Sequence, residues 1–457
     1  KIVFTDNTHN GDNETEGISI KDNDLDLNSG TIRDLAENNA ILTHSAVSDN
    51  NSYMVDTEAP RVDNFTLSDT ALKIGDNATV NLGFSEVVIE FIAADITNPN
   101  GSLPSMTSSD NITWTGTFTP TANTEVASNN FLLGSSSYTD LAGNAGPSAT
   151  TANYEVETWA PNVNRVEITS GTGMQSNFLN ASDAAGRDVL TLSVIFRESV
   201  IIDNASGNPT LTLVVGSTDQ TATYTSGDNS TTLVFQYTIQ AGDTDTNGIS
   251  IGANALALPT GSTIRDAAGN NATNLNHDTV TNNSSYKVDT TPPTVNSVAI
   301  TSGTGMLNDF LNHPTDVVSA TVTFSENSPV TGTPQLTLAV GEDNHTADYT
   351  SSGSGNTTKV FKYTIQAGDN DTDGISIGAN TLALNNGTIS DPAGNNATLT
   401  HNAVSDNNSY MVDTEAPRVD NFTLSDTALK IGDNATVTLG FSEVVIEFTA
   451  ADITNPN

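Results

Sequence analysis

The stretch Tyr53-Met-Val-Asp-Thr-Glu-Ala-Pro-Arg-Val62 decides how the sequence divides, because variants of it recur and everything else lies between them. It returns as Tyr154-Glu-Val-Glu-Thr-Trp-Ala-Pro-Asn-Val163, as Tyr286-Lys-Val-Asp-Thr-Thr-Pro-Pro-Thr-Val295, and almost unchanged as Tyr410-Met-Val-Asp-Thr-Glu-Ala-Pro-Arg-Val419. Each copy reads as the last strand of one domain, a carboxylate, a rigid proline turn, and the first strand of the next. Pro60, Pro161, Pro293 and Pro417 lie 101, 132 and 124 residues apart, which are single-domain lengths.

Between the joints lie two kinds of module. The segment 57–157 is a short type, in which Ala78, Val80, Leu82 and Phe84 alternate with polar residues, the period-two pattern of a half-buried strand. Trp114, Gly116 and Phe118 repeat the pattern less cleanly, and Asn98-Pro-Asn-Gly101 supplies a turn. The segments 158–290 and 291–414 form a matched longer pair. Ile168-Thr-Ser-Gly-Thr-Gly-Met174 equals Ile300-Thr-Ser-Gly-Thr-Gly-Met306, and Leu190, Leu192, Val194 and Phe196 correspond to Val318, Ala320, Val322 and Phe324. Residues 1–56 read as the C-terminal part of a long-type module, and 415–457 as the N-terminal part of a short one. Residues 46–100 and 403–457 differ only at Asn81 against Thr438 and Ile92 against Thr449, so a unit of one short and two long modules repeats. No stretch sustains a helical apolar period, and almost no helix is expected.

Composition narrows the function. With 54 acidic and 14 basic residues the formal charge is −40, which argues against nucleic acid and bare anionic membrane as partners and favours cations, divalent ones most. Cysteine is absent, so disulfides, zinc-thiolate sites and thiol nucleophiles are excluded. Only 35% of residues are hydrophobic, which suits short strands joined by many polar turns; the regular alternation speaks against disorder. No apolar run reaches the roughly 18 residues of a membrane span. Lys1-Ile-Val-Phe4 is neither a start nor a signal peptide, so a segment of a longer chain is expected.

The joint Val-Asp-Thr-x-x-Pro, the strand end Phe324-Ser-Glu326, the run Gln366-Ala-Gly-Asp369 and Asp391-Pro-Ala-Gly-Asn395 resemble the tandem bacterial Ig-like repeats of giant surface adhesins. The long type resembles the repeat named after a cyanobacterial swimming-motility surface protein, and the short type the Ig-like domains of biofilm-associated adhesins. The resemblance covers essentially the whole chain. It implies an all-β protein of Ig-like antiparallel sandwiches strung end to end at the cell surface or outside the cell, and the alternating roughly 100-residue modules suggest sandwiches independently. Glu157-Thr-Trp159 departs from the Asp-Thr of the other joints.

Two sets of metal ligands are expected, both for calcium. Asp12, Glu14 and Glu16, then Asp243, Asp245 and Asn247, then Asp369, Asp371 and Asp373 place oxygen ligands at alternate positions before a glycine, like the first half of a calcium loop. Asn23, Asn254 and Asn380 replace the usual glutamate at position twelve, so affinity would be modest; a solvated polar turn is the competing reading. The second set follows from sandwich topology, which brings the joint, the end of the second strand and the turn before the last strand to one pole. It comprises Asp56, Glu86 and Asp140; Glu157, Glu198 and Asp266; Asp289, Glu326 and Asp391; and, at the last joint, Asp413 and Glu443. Carboxylates so gathered repel one another unless a cation neutralises them, whereas a hairpin cap is the plainer role for the turn residues.

Sequons at Asn64, Asn77, Asn111, Asn271, Asn396 and Asn421 are what chance gives in an Asn-, Ser- and Thr-rich chain, or glycosylation sites in a competent host. His9, His44, His277, His313, His345 and His401 show no metalloprotease spacing, and no nucleophile elbow or phosphate loop is present. The expectation is therefore a non-enzymatic segment: a calcium-stiffened rod for adhesion or an extracellular fibre, partnered by calcium, by surface glycans or by like chains. A module that binds glycan through its own loops is the alternative, and it would need exposed aromatic platforms.

Overall fold

A computed structural model describes residues 1–181 and 186–454. Strands account for its regular structure apart from three one-turn 3-10 segments, at Ala93–Asp95, Ser354–Asn356 and Ala450–Asp452, among the described residues. Three separate clusters of buried apolar side chains run from Phe65 to Val156, from Val163 to Val288 and from Ile300 to Val412.

The first long domain is built on Val189–Asp203, whose alternating Leu190, Leu192, Val194 and Phe196 are all at most 2% exposed. This strand pairs antiparallel with Val163–Thr172 on one side and Ser230–Thr238 on the other. The sheet continues through Thr218–Ser226, Thr210–Val215 and Leu256–Ala257. Against it lies a small sheet in which Lys287–Asp289 is central, parallel to Phe178–Leu179 and antiparallel to Thr244–Asp245. The second long domain repeats this order, with Val317–Phe324 at the centre of its main sheet and Met411–Asp413 at the centre of the small one. One difference has a local cause. Pro329 has no N–H to donate, and the strand that runs on to Asp203 in the first domain stops at Phe324 in the second, resuming as Val330–Thr331 against Thr388–Ile389.

The short domain carries a four-stranded sheet, with Val62–Leu67, Ala78–Phe84, Thr113–Pro120 and Gly101–Ser102 in that order. Two smaller sheets complete it, and in one of them Tyr154–Glu157 runs parallel to Ala71–Lys73. The less regular strand resolves as Phe118 fully buried with Trp114 and Gly116 half-buried. Gly116 is required there: an added Cβ would lie 2.5 Å from Met106 Sδ and 2.6 Å from the Ser105 carbonyl oxygen. Phe118, Phe131 and Tyr154 meet edge to face, with centroids 4.9 to 5.6 Å apart, and form the aromatic centre of this core.

The joints explain why the strands end where they do. In Val288-Asp289-Thr290, Val288 is fully buried in the first long domain. Two residues on, Thr290 Oγ1 accepts the Gly242 N–H at 3.0 Å and donates to the Asp243 carbonyl at 3.0 Å, clamping the loop that begins the small sheet. Thr57 and Thr414 make the same pair of bonds to their own loops. Thr158, at the divergent joint, is buried; its hydroxyl accepts the Thr124 N–H and donates to the Thr121 carbonyl. Replacing Thr290 by Val keeps the shape but leaves two backbone groups without this partner, and such bonds contribute about 1 kcal/mol each. Thr290→Val should lower the melting transition of the first long domain and leave that of the second unmoved in calorimetry of the whole chain.

Candidate metal centres at the domain joints

At two joints the fold assembles the expected carboxylates. Asp56, Glu86 and Asp140 each offer an oxygen within 4.8 Å of the others, and so do Asp289, Glu326 and Asp391. Each member comes from a different element: the end of the departing strand, the residue two past the core phenylalanine of the second strand, and the turn before the last strand. The local chemistry aims them. Asp289 Oδ1 accepts the Thr291 N–H at 3.0 Å, which leaves its second oxygen for the centre. Asp391 Oδ1 accepts the Asn395 N–H at 2.9 Å and Oδ2 the Asn395 side-chain amide at 2.8 Å. Glu326 makes no hydrogen bond among the described residues, and the same holds for Glu86.

Electrostatics mark the same places. Burial pushes the Glu326 carboxyl above its ordinary range, and the charges of Asp289 and Asp391 push it further. Asp289 is raised by burial and by Asp391, against the bond from Thr291. Glu86 is raised by burial, then by Asp56 and Asp140. A joint that raises Asp289 and Glu326, like the one that raises Glu86, is short of positive charge. Three hard oxygens with spare lone pairs, at a half-open surface where water can complete the shell, suit calcium.

The other joints differ. Glu157, Glu198 and Asp266 interact, and burial followed by the Asp266 and Glu157 charges lifts Glu198 to about 7. Among the described residues, however, they do not gather within the separation reached at the other two joints. The expected third triad is thus looser than the sequence suggested. The departing strand there ends in a longer side chain; the bond from Trp159 N–H to Glu157 Oε1 at 2.8 Å has its equivalent at Asp56 and Asp289 and does not set this joint apart. At the last joint Asp413 and Glu443 face each other, and the Glu443 carboxyl is raised by burial and by Asp413.

The loop carboxylates, expected to form calcium loops, do not gather in threes among the described residues, although Asp371 and Asp373 approach each other and the Asp371 carboxyl is raised by burial and by Asp373. Asp243 Oδ2 accepts the Tyr237 hydroxyl at 2.6 Å and the Gln240 N–H at 2.8 Å. Asp245 accepts Gly216 N–H at one oxygen and Asn247 and Gly248 N–H at the other. Asp369 and Asp371 repeat this with Tyr363, Gln366, Gly341 and Gly374, while Asp373 stays exposed. In the N-terminal copy Asp12 accepts the His9 N–H and Glu14 the Glu16 N–H. Residues spaced by two on an extended chain share a side, so the pleat does not separate these oxygens; their hydrogen bonds to different turns do. Their lone pairs already hold backbone in place.

Reading the sequence for acids missed the residue that carries each turn across the joint. Asn395 donates to the Asp289 carbonyl at 2.8 Å, Asn270 to that of Glu157 at 2.9 Å, and Asn144 to that of Asp56 at 3.0 Å. The last position of Asp-x-Ala-Gly-Asn was the available signal. Neighbouring domains grip the same turns: Ile74 N–H donates to Asn270 Oδ1 at 2.8 Å, and Asn180 Nδ2 to the Ala393 carbonyl at 2.6 Å. Of the histidines, His277 and His401 accept backbone N–H groups of Ala255 and Thr381 and so serve turns.

Comparison with known proteins agrees on the fold. Residues 56–156 match the family model described as a bacterial Ig-like domain. The chain is a tandem array of Ig-like β-sandwiches, of which the short one is similar to this bacterial domain. No curated protein matches the sequence. Among solved structures, the Escherichia coli adhesin FdeC is similar over 77% of this chain and 98% of its own, at 13% identity and a TM-score of 0.25. The N-terminal eight Ig domains of the Down syndrome cell adhesion molecule are similar over 88% of this chain and 46% of theirs, at 10% identity and a TM-score of 0.23. At those scores the overlap is loose, and the fold stands on its own sheet order. No helix among the described residues is long and apolar enough to cross a membrane.

Two outcomes follow from this geometry. Asp371→Asn puts an amide donor against the Gly341 or Gly374 N–H, at a cost of ~1–3 kcal/mol; the second long domain should melt lower by the same margin with calcium and with chelator. Folding raises Glu198 from 4.5 to about 7, so its stability contribution is present in full below the unfolded value and lost as pH rises through the folded one. In chelator, melting near this joint should therefore be higher at about pH 5.5 than at about pH 8, and Glu198→Gln should remove most of the difference.

Proposed function

We propose that the chain is a structural segment of a surface or secreted protein, in which calcium held at the joints stiffens a string of Ig-like domains into an extended rod for adhesion or for an extracellular fibre. The module limits in this reading are 57–157, 158–290 and 291–414, flanked by partial modules. The observation that carries it is the pair of three-carboxylate centres, each drawn from both sides of a joint, with Asp56 and Asp289 on the last strand of one domain and the other acids in the next. An ion shared in this way ties orientation to metal, since neither domain alone supplies all the oxygens. The acidic surface works in the same direction, because like charges within a Debye length of about 8 Å in physiological salt oppose folding back.

Extracellular calcium modules bind at roughly 10⁻⁴ to 10⁻³ M. At ten times the dissociation constant one such site adds ~1.4 kcal/mol. The test is the distance distribution between one label on each long domain of the full chain. Calcium should narrow it, and Glu326→Gln should keep it broad in calcium while each domain retains its own melting transition. Wild type and variant should coincide in chelator. A variant as narrow as wild type in calcium would show that Glu326 is no ligand and would end the shared-ion model at this joint.

A further inference from the structure

The joint after the short domain departs from the others at two positions, and the fold brings both into one groove. Where the other joints carry Glu58, Thr291 and Glu415, this one carries Trp159; where the second strand otherwise ends with Ser85, Ser325 or Ser442 before the glutamate, it carries Arg197. Those serines have a structural task. Their hydroxyl oxygens accept the N–H groups of Arg61, Thr294 and Arg418 at 2.9, 3.0 and 2.9 Å, closing the start of the next domain. Arginine has no acceptor. The cap is therefore given up at Asn162, and the guanidinium that replaces it needs another purpose.

Trp159 is 42% exposed, and no ring or cation stacks on it among the described residues. Arg197 is exposed and pairs with no carboxylate among the described residues, although acidic residues outnumber basic ones 54 to 14. Both line a groove of about 530 Å³ whose wall also holds Asn123, Asn162, Asn274 and Asn276. An open indole face, several short amides and one unpaired guanidinium are a specific combination. The indole suits a flat face of C–H groups, the amides suit hydroxyls, and the guanidinium fork suits a carboxylate bidentately. A polyphosphate or nucleic acid would need several cations rather than one.

We propose that this groove binds saccharides bearing a carboxylate, with the sugar ring on Trp159, its hydroxyls on the asparagine amides and its acid group on Arg197. The domain string thus carries its own recognition site at one joint. The site does not depend on the calcium reading.

The full-length chain should be applied to a glycan array that includes uronate-terminated, sialylated and matched neutral oligosaccharides, with and without calcium. Wild type should retain carboxylated sugars over their neutral counterparts, and the uronate and sialyl arms identify which acid sugar fits. Trp159→Thr and Arg197→Ser restore residues found at the other joints, so both variants keep a fold the chain already uses. Trp159→Thr should weaken binding at least about tenfold, and Arg197→Ser should abolish the preference for acid over neutral sugar. No retention of carboxylated sugars, unchanged binding by Trp159→Thr, or displacement of the sugar by a proline-rich peptide would overturn the proposal. Calcium-dependent melting of the same samples separates the two readings, since either response can be lost while the other remains.

Discussion

Three consecutive residues of each joint answer to three different parts of the molecule, and the architecture depends on that division. Val288 belongs to the core behind it, Asp289 faces the domain ahead, and Thr290 fastens the loop of its own domain. A strand makes this possible because neighbouring side chains leave on opposite faces. A proline follows soon after, so the chain has little freedom before the next sheet begins. The same short run therefore ends one sandwich, starts another and places a carboxylate between them.

Stability within the string is local. The apolar clusters are separate, and the cross-joint contacts are a few hydrogen bonds made by Asn144, Asn270, Asn395 and Asn180. Such an array behaves as units with nearest-neighbour terms, so a small energy at a joint governs orientation without governing folding. Val419–Leu424 pairs with Val437–Phe441 in the register of Val62–Leu67 with Ala78–Phe84, although Thr438 stands where the first copy has Asn81.

Acidic residues in this chain do two kinds of work that look alike in one dimension. Asp245 and Asp371 are buried and spend their oxygens on backbone N–H groups of two turns, one of them a hairpin glycine with positive φ. Glu86 and Glu326 hold no such bonds and are pushed toward the protonated form by burial and then by neighbouring acids. The difference is whether the lone pairs are already engaged, which decides whether a cation has anything to bind.

The sequence by itself determined the repeat, the joints, the strand alternation and the sandwich class, because these follow from periodicity and from turn residues whose backbone preferences are local. It also supplied the members of the joint triads, since sandwich topology fixes which strand ends share a pole. Only the tertiary structure decided which acids converge. The loops with alternating oxygens read as ligand sets along the chain, yet the buried ones spend those oxygens on the backbone of different turns. Glu157, Glu198 and Asp266 stood in the right places by count, but among the described residues they do not gather as the other two sets do. Trp159 and Arg197, 38 positions apart in the chain, have no visible relation until two strands lay them along one groove. Backbone preference acts over a few residues and is written in order; convergence of side chains depends on which strands pair, and that is settled by burial of the whole core.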